Sequence, residues 1–171
     1  MSLHSAFNDK VVKPTCGFCQ YDFRKGQAKS DGEADDIIDE AIKFYRVNIF
    51  FKNYEILGPA DRLLIYLIVY INHLIKTVEK DTDGVAALKK MIEIAKKPVP
   101  KPSEPKFFMN SIFNDAKSPK ESDDYQTYLK EAKEETAKRL IPYLFDSEGR
   151  TLLFKYWVGL SKRKFMGYDF S

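Results

Sequence analysis

The chain has 171 residues, 44% of them hydrophobic, with 28 basic and 25 acidic side chains and a formal charge of +3. That length suits one domain, and thirteen Phe with ten Tyr supply enough large apolar surface for a core without disulfide or metal staples. The near-balance of charge excludes a strong electrostatic footprint for nucleic acid or a membrane surface, and two cysteines do not make a disulfide framework.

The opening "MSLHSAFNDKVVKP" lacks the cationic and apolar regions of a secretory signal, so an intracellular, reducing compartment is expected. Residues 1–29 show no sustained period and read as an irregular amino-terminal arm. Within it, "PTCGFCQ" sets Cys16 and Cys19 in C-x-x-C spacing. A dithiol redox centre needs its first cysteine at a helix N-terminus in a strand–helix–strand frame, where the dipole lowers the thiol pKa. A structural zinc needs four ligands, and His4 and His73 are the other soft donors. Neither setting is visible here. Two thiols acting as small apolar side chains, with Phe18 as the arm's anchor, are the expectation; a small thiol oxidoreductase or zinc protein is the alternative.

"SDGE" offers a capping box between Ser30 and Glu33. Six acids between Asp31 and Glu40 then suit the positive end of a helix dipole and read as a solvated helix start. Ile38, Ile42, Tyr45 and Ile49, with Ile37, Ala41, Phe44 and Phe51, recur at helical spacing, so the first helix is predicted over 31 to about 52. "LGPADR" starts the second, with Gly58 near the cap and Pro59 at the first position. Its apolar run, Leu63 to Ile71, is far short of the roughly 20 residues of a membrane span. It predicts instead a central buried helix reaching about Lys80, with His73 as a structural histidine. A third helix carries Val85, Leu88, Met91 or Ile92, and Ala95 inward, and stops at Pro98.

Prolines 98, 100, 102 and 105 favour an extended strap. The apolar island after it, Phe107, Phe108, Met109, Ile112 and Phe113, predicts self-pinning, with an outward binding segment for a polyproline-reading module as the lesser option. Ser118, Pro119 and Glu121 open a fourth helix with Tyr125, Tyr128, Leu129, Ala132, Thr136 and Leu140 on one face. Pro142 is expected to kink it or restart the chain before Leu144. "DSEGR" reads as a turn. A last helix is predicted from about Thr151, with Leu153, Tyr156, Trp157 and Leu160 inward and Lys162, Arg163 and Lys164 near its negative end. The fold class is therefore all-α: one irregular multihelical domain over 30–171, about five helices, with an extended amino-terminal arm and a proline-rich strap between the third and fourth.

No phosphate-binding loop or dinucleotide fingerprint occurs, and no catalytic, cofactor or metal constellation can be assembled from the residues. The stretches "DIIDEAIKFYRVNIFFKNYEI" (36–56), "ADRLLIYLIVYI" (60–71) and "KRKFM" (162–166), with "FFMNSIF" and "YLKEAKEETAKRL" in the expected order, resemble the family of the 21 kDa subunit, subunit 3, of the actin-related protein 2/3 complex. The resemblance covers roughly residues 30–166; Cys16, Cys19 and Pro142 depart from its pattern. It implies a non-catalytic helical scaffold subunit in a seven-subunit assembly that nucleates branched actin filaments. It also implies docking on the larger actin-related protein, engagement of a mother filament, and a cytoplasmic place at the actin cytoskeleton. No cofactor, nucleic acid or membrane span is implied. Lys52, Asn53, Tyr54 and Glu55 are candidate partner contacts, because Tyr joins contact area to a polar handle, although Tyr54 is equally suited to closing the core. Lys162, Arg163 and Lys164 are the second candidate, facing acidic actin-type surfaces.

Overall fold

Leu63 to Ile71 are buried on every side, as an uninterrupted apolar run demands. The helix that carries them, α2 (Pro59–Thr77), touches the four other helices: α1 (Ile37–Asn48), α3 (Gly84–Ala95), α4 (Pro119–Leu144) and α5 (Phe154–Leu160). This computed structural model describes residues 1–170. The start of α2 shows why the arm cannot be separated from the helices. Gly58 caps it without a side chain, and the arm's Asn8 supplies the missing acceptor, its Oδ1 taking the Asp61 N–H at 2.9 Å. A Cβ on Gly58 would lie 2.7 Å from Asn8, so glycine is needed for that close approach.

α1 begins six residues later than its first capping signal. Ser30 makes only half a box, its N–H donating to Glu33 Oε1 at 2.9 Å, because Gly32 turns through φ +76° and leaves helical space. The reciprocal box is closed instead by Asp36 and Asp39. The acidic start is also less solvated than expected, since Asp36 and Glu40 are buried. The buried stripe runs through Ile37, Ile38, Ala41, Ile42 and Tyr45.

α4 does not break at Pro142. The proline sits two residues from the end, so the carbonyl it orphans lies in the last turns, and the Phe145 N–H still closes on Ile141 O. The expected turn after it is a hairpin, β3 (Phe145–Asp146) with β4 (Gly149–Arg150). Thr151 N–H then returns to Leu144 O at 2.9 Å. This delays α5 to Phe154 and changes its inward face: Phe154, Trp157 and Leu160 are buried, whereas Leu153 and Tyr156 are exposed.

A second hairpin, β1 (Pro14–Thr15) with β2 (Phe18–Cys19), stands in the arm. The fold is therefore mostly helical rather than purely all-α. Residues 98–118 form neither helix nor strand; Phe107, Met109 and Phe113 are buried and Phe108 and Ile112 partly so.

Candidate interaction surface

The C-x-x-C motif is a hairpin turn. Cys16 and Gly17 are its two central residues, with φ of +51° and +99°, as a two-residue turn matching strand twist requires. Arg62 Nη1 donates to Gly17 O at 2.8 Å and Asn114 N–H to Cys16 O at 2.8 Å, so the turn is tied to α2 and to the end of the strap. Phe18 anchors it, its ring 5.3 Å from Phe113 and 5.7 Å from Tyr128. Both thiols are free and buried, and burial, aided by Glu121 and Asp115, pushes Cys16 up to about 11. A thiol held protonated at neutral pH is no redox nucleophile. Among the described residues, no three His, Cys, Asp or Glu side chains gather as a metal site.

The two predicted contact segments, distant in sequence, meet in space. Tyr54 is 7% exposed. Its hydroxyl donates to Leu3 O at 2.8 Å and its ring stands edge-on to Phe165 at 5.4 Å. Tyr54 therefore joins the α1–α2 connection to the carboxy-terminal segment and turns inward, while Lys52, Asn53 and Glu55 remain exposed on either side. The second join is Arg163, whose guanidinium lies 4.4 Å from the Phe50 ring centroid.

A buried relay holds the basic turn in place. Tyr45 OH donates to Asn72 Oδ1 at 2.6 Å, and Asn72 Nδ2 donates to Arg163 O at 2.9 Å and Ser161 O at 3.3 Å. Asn72 follows the apolar run of α2 directly, so the polar residue that ends the run also fixes the surface above it. α5 stops at Leu160, leaving Lys162, Arg163 and Lys164 exposed beyond the helix rather than within its last turn. Lys162 Nζ pairs with Glu79 Oε2 at 2.9 Å and Lys164 Nζ lies 3.8 Å from Asp169. Exposed pairs of this kind contribute little to stability and yield readily to a competing charge. Arg163 has no carboxylate partner among the described residues.

Apolar side chains complete the surface, and sequence reasoning passed over them. Phe50 is half exposed, and Val47 and Leu57 are exposed nearby in sequence. Val47 and Phe50 are spaced i, i+3 off the buried stripe of α1, a signal that could have marked them. A further group, Tyr143, Leu152, Leu153 and Tyr156, is exposed around the β3–β4 hairpin and α5. Of these, Leu153 and Tyr156 are the two that the sequence predicts to face inward. No helix of the described residues is long and apolar enough to cross a membrane.

The model of the P21-Arc family, described as the ARP2/3 complex ARPC3 (21 kDa) subunit, matches residues 1–170, and so includes the arm and the C-x-x-C turn. The chain is 37% identical over 171 residues to actin-related protein 2/3 complex subunit 3 of Arabidopsis thaliana, covering 97% of each chain. It is 33% identical over 144 residues to the Saccharomyces cerevisiae protein of that name, covering 83% of this chain and 81% of the relative. With the Schizosaccharomyces pombe protein it shares 32% over 168 residues, 95% of each.

Proposed function

The chain belongs to the family of the 21 kDa subunit, subunit 3, of the actin-related protein 2/3 complex, a structural subunit and not an enzyme, and we propose that it docks there on the larger actin-related protein and helps the assembly engage a mother filament. The observation that carries this reading is the match along nearly the whole chain at 37% identity. Its partners are the other subunits, and its place is the cytoplasmic actin cytoskeleton. The contact surface is the one built from Lys52, Asn53 and Glu55 with Phe50, Lys162, Arg163 and Lys164. Tyr54 acts from beneath, holding the two segments together.

Three properties support that choice. The basic turn is fixed from below by Asn72, so its geometry is set before a partner arrives and little ordering entropy is lost on binding. Its lysines are engaged only by exposed pairs. The half-exposed Phe50 under Arg163 is an apolar and cationic pair of the kind that anchors interfaces.

The test replaces Lys162, Arg163 and Lys164 with Glu in the full chain and measures co-purification with the two actin-related subunits and branching by the assembly. Retained helix content with co-purification or branching reduced about tenfold or more is the expected result. Unchanged recovery and unchanged branching would remove this surface from the proposal. Recovery of no actin-related protein by the unaltered chain would sink the assembly reading itself.

A further inference from the structure

A cavity of about 310 Å³ opens between α2, the end of α3, the Pro98–Pro100 segment and α4. That volume lies at the lower end of small-molecule sites, roughly 300–1,000 Å³. Its walls are mostly apolar and aromatic, with Tyr70, His73, Ile94, Val99 and Phe170 among them, and Lys133 is its buried cation. The Phe170 ring centroid lies 5.0 Å from those of both Tyr70 and His73.

Lys133 stands where an apolar residue is expected. Leu129, Lys133 and Ala137 are spaced i, i+4, i+8 on the inward face of α4, and all three are buried. Lys133 is 2% exposed. Its Nζ donates to Lys97 O at 3.1 Å and lies 5.7 Å from the Tyr70 ring centroid. No carboxylate pairs with it among the described residues, which is a costly setting for a charge. Burial pushes its pKa down to about 8, with Glu134 opposing. Tyr70 adds a second unmet demand, a buried hydroxyl without a hydrogen-bond partner.

The charges around the cavity favour an anion. Lys76, Lys97 and Lys133 all act on His73, against Asp169. Burial keeps His73 below its ordinary value, so at neutral pH its ring is an uncharged wall. The apolar lining meanwhile favours a flat hydrocarbon body over a hydrated inorganic ion.

We propose that this cavity is a binding site for a small aromatic carboxylate, paired with the Lys133 ammonium and stacked among Tyr70, His73 and Phe170. The carboxylate supplies the counter-charge the chain lacks, and the ring fills the apolar remainder. This site is defined by the cavity's own lining and does not rest on the subunit-docking reading.

Calorimetric titration of the full chain with 2-naphthoate, and with neutral 2-naphthamide as the uncharged isostere, tests it. Naphthoate is expected to saturate at one site and to bind about tenfold or more tighter than the amide. Lys133→Met should abolish that preference while leaving the amide unaffected. Affinity for the acid should fall as pH rises through about 8 and the amine loses its proton. A second measurement needs no variant. Acetylation by an N-hydroxysuccinimide ester should be blocked at Lys133 by saturating naphthoate and continue at the exposed Lys130 and Lys138. Absence of saturable naphthoate binding, equal affinity for acid and amide, or unprotected Lys133 under saturating naphthoate would each overturn the proposal.

Discussion

The amino-terminal arm and the proline-rich strap are both irregular segments laid over the helices, and they are held by different forces. The arm is fastened by buried polar groups. Asp61 accepts from His4 Nδ1 at 2.7 Å and from Ser5 N–H at 2.9 Å; Glu40 accepts from Ser5 Oγ at 2.6 Å and Ala6 N–H at 2.8 Å. Farther along, Arg139 binds Asp36, Asp39, Glu135 and the Arg24 carbonyl, and Arg24 forks onto Asp39. The strap is fastened mainly by rings. Phe113 packs against Phe18, Tyr66, Phe107 and Tyr125 at centroid distances of 5.3 to 6.4 Å, and direct polar help comes from Gln126 on Val99 and Tyr125 on Pro100. Directional, charge-assisted bonds set register but depend on protonation. Aromatic burial is indifferent to pH and sensitive to volume.

The largest expected effect tests the strap. Phe113→Ala should lower unfolding stability by about 4 kcal/mol in urea titrations, by the same amount at pH 7 and pH 3. A cost that shrank with pH would show that the strap depends on the arm's ionic network.

Arg139→Met comes next, at about 3 kcal/mol at pH 7, because it leaves buried carboxylates without their main partner; Arg24 limits the loss. This cost should depend on pH. Burial pushes the Asp36 carboxyl up, but hydrogen bonds from Arg139 and from the Asp39 and Arg24 N–H groups outweigh that, so it titrates below its ordinary value. A depressed folded pKa contributes stability above the unfolded value, about 3.9, and loses it as pH falls through the folded one. The difference between Arg139→Met and the unaltered chain should therefore narrow below about pH 4. A constant difference from pH 7 to pH 3 would mean that Arg139 acts through packing alone.

The smallest effects use one substitution at two places. The Tyr128 hydroxyl donates to Tyr21 O at 2.7 Å, whereas the Tyr66 hydroxyl is buried without a partner. Tyr128→Phe should cost about 1 kcal/mol, and Tyr66→Phe should be neutral or stabilising by a similar amount. Equal costs by thermal melting would contradict the contrast between a polar-bonded arm and an aromatic-packed strap.

Local signals carried far in this chain. The apolar run of α2, the Ser118–Pro119 start of α4 and the face from Tyr125 to Leu140 were legible because period, cap and proline act within a few residues. The departures arose at the turns that precede helices. Asp36 displaced Ser30 as the cap where Gly32 turned the chain. The β3–β4 hairpin rotated α5, so that Leu153 and Tyr156 face outward. At the candidate surface, the polar mix of Lys52, Asn53 and Glu55 was readable. The inward turn of Tyr54 was not, since its partner Leu3 is 51 residues away.

The sequence by itself determined the helix count, the central place of α2, the lack of a catalytic constellation and, through its long stretches of likeness, the family. Those properties follow from hydrophobic period and residue chemistry, which each segment carries alone. Only the tertiary structure decided that Arg163 rests on Phe50, that Asn72 fixes the basic turn, that the two cysteines close a hairpin, and that Lys133 faces a cavity without a counter-charge. Each of these depends on which surfaces the packing brings together, and a buried polar group is defined by neighbours that its own segment does not encode.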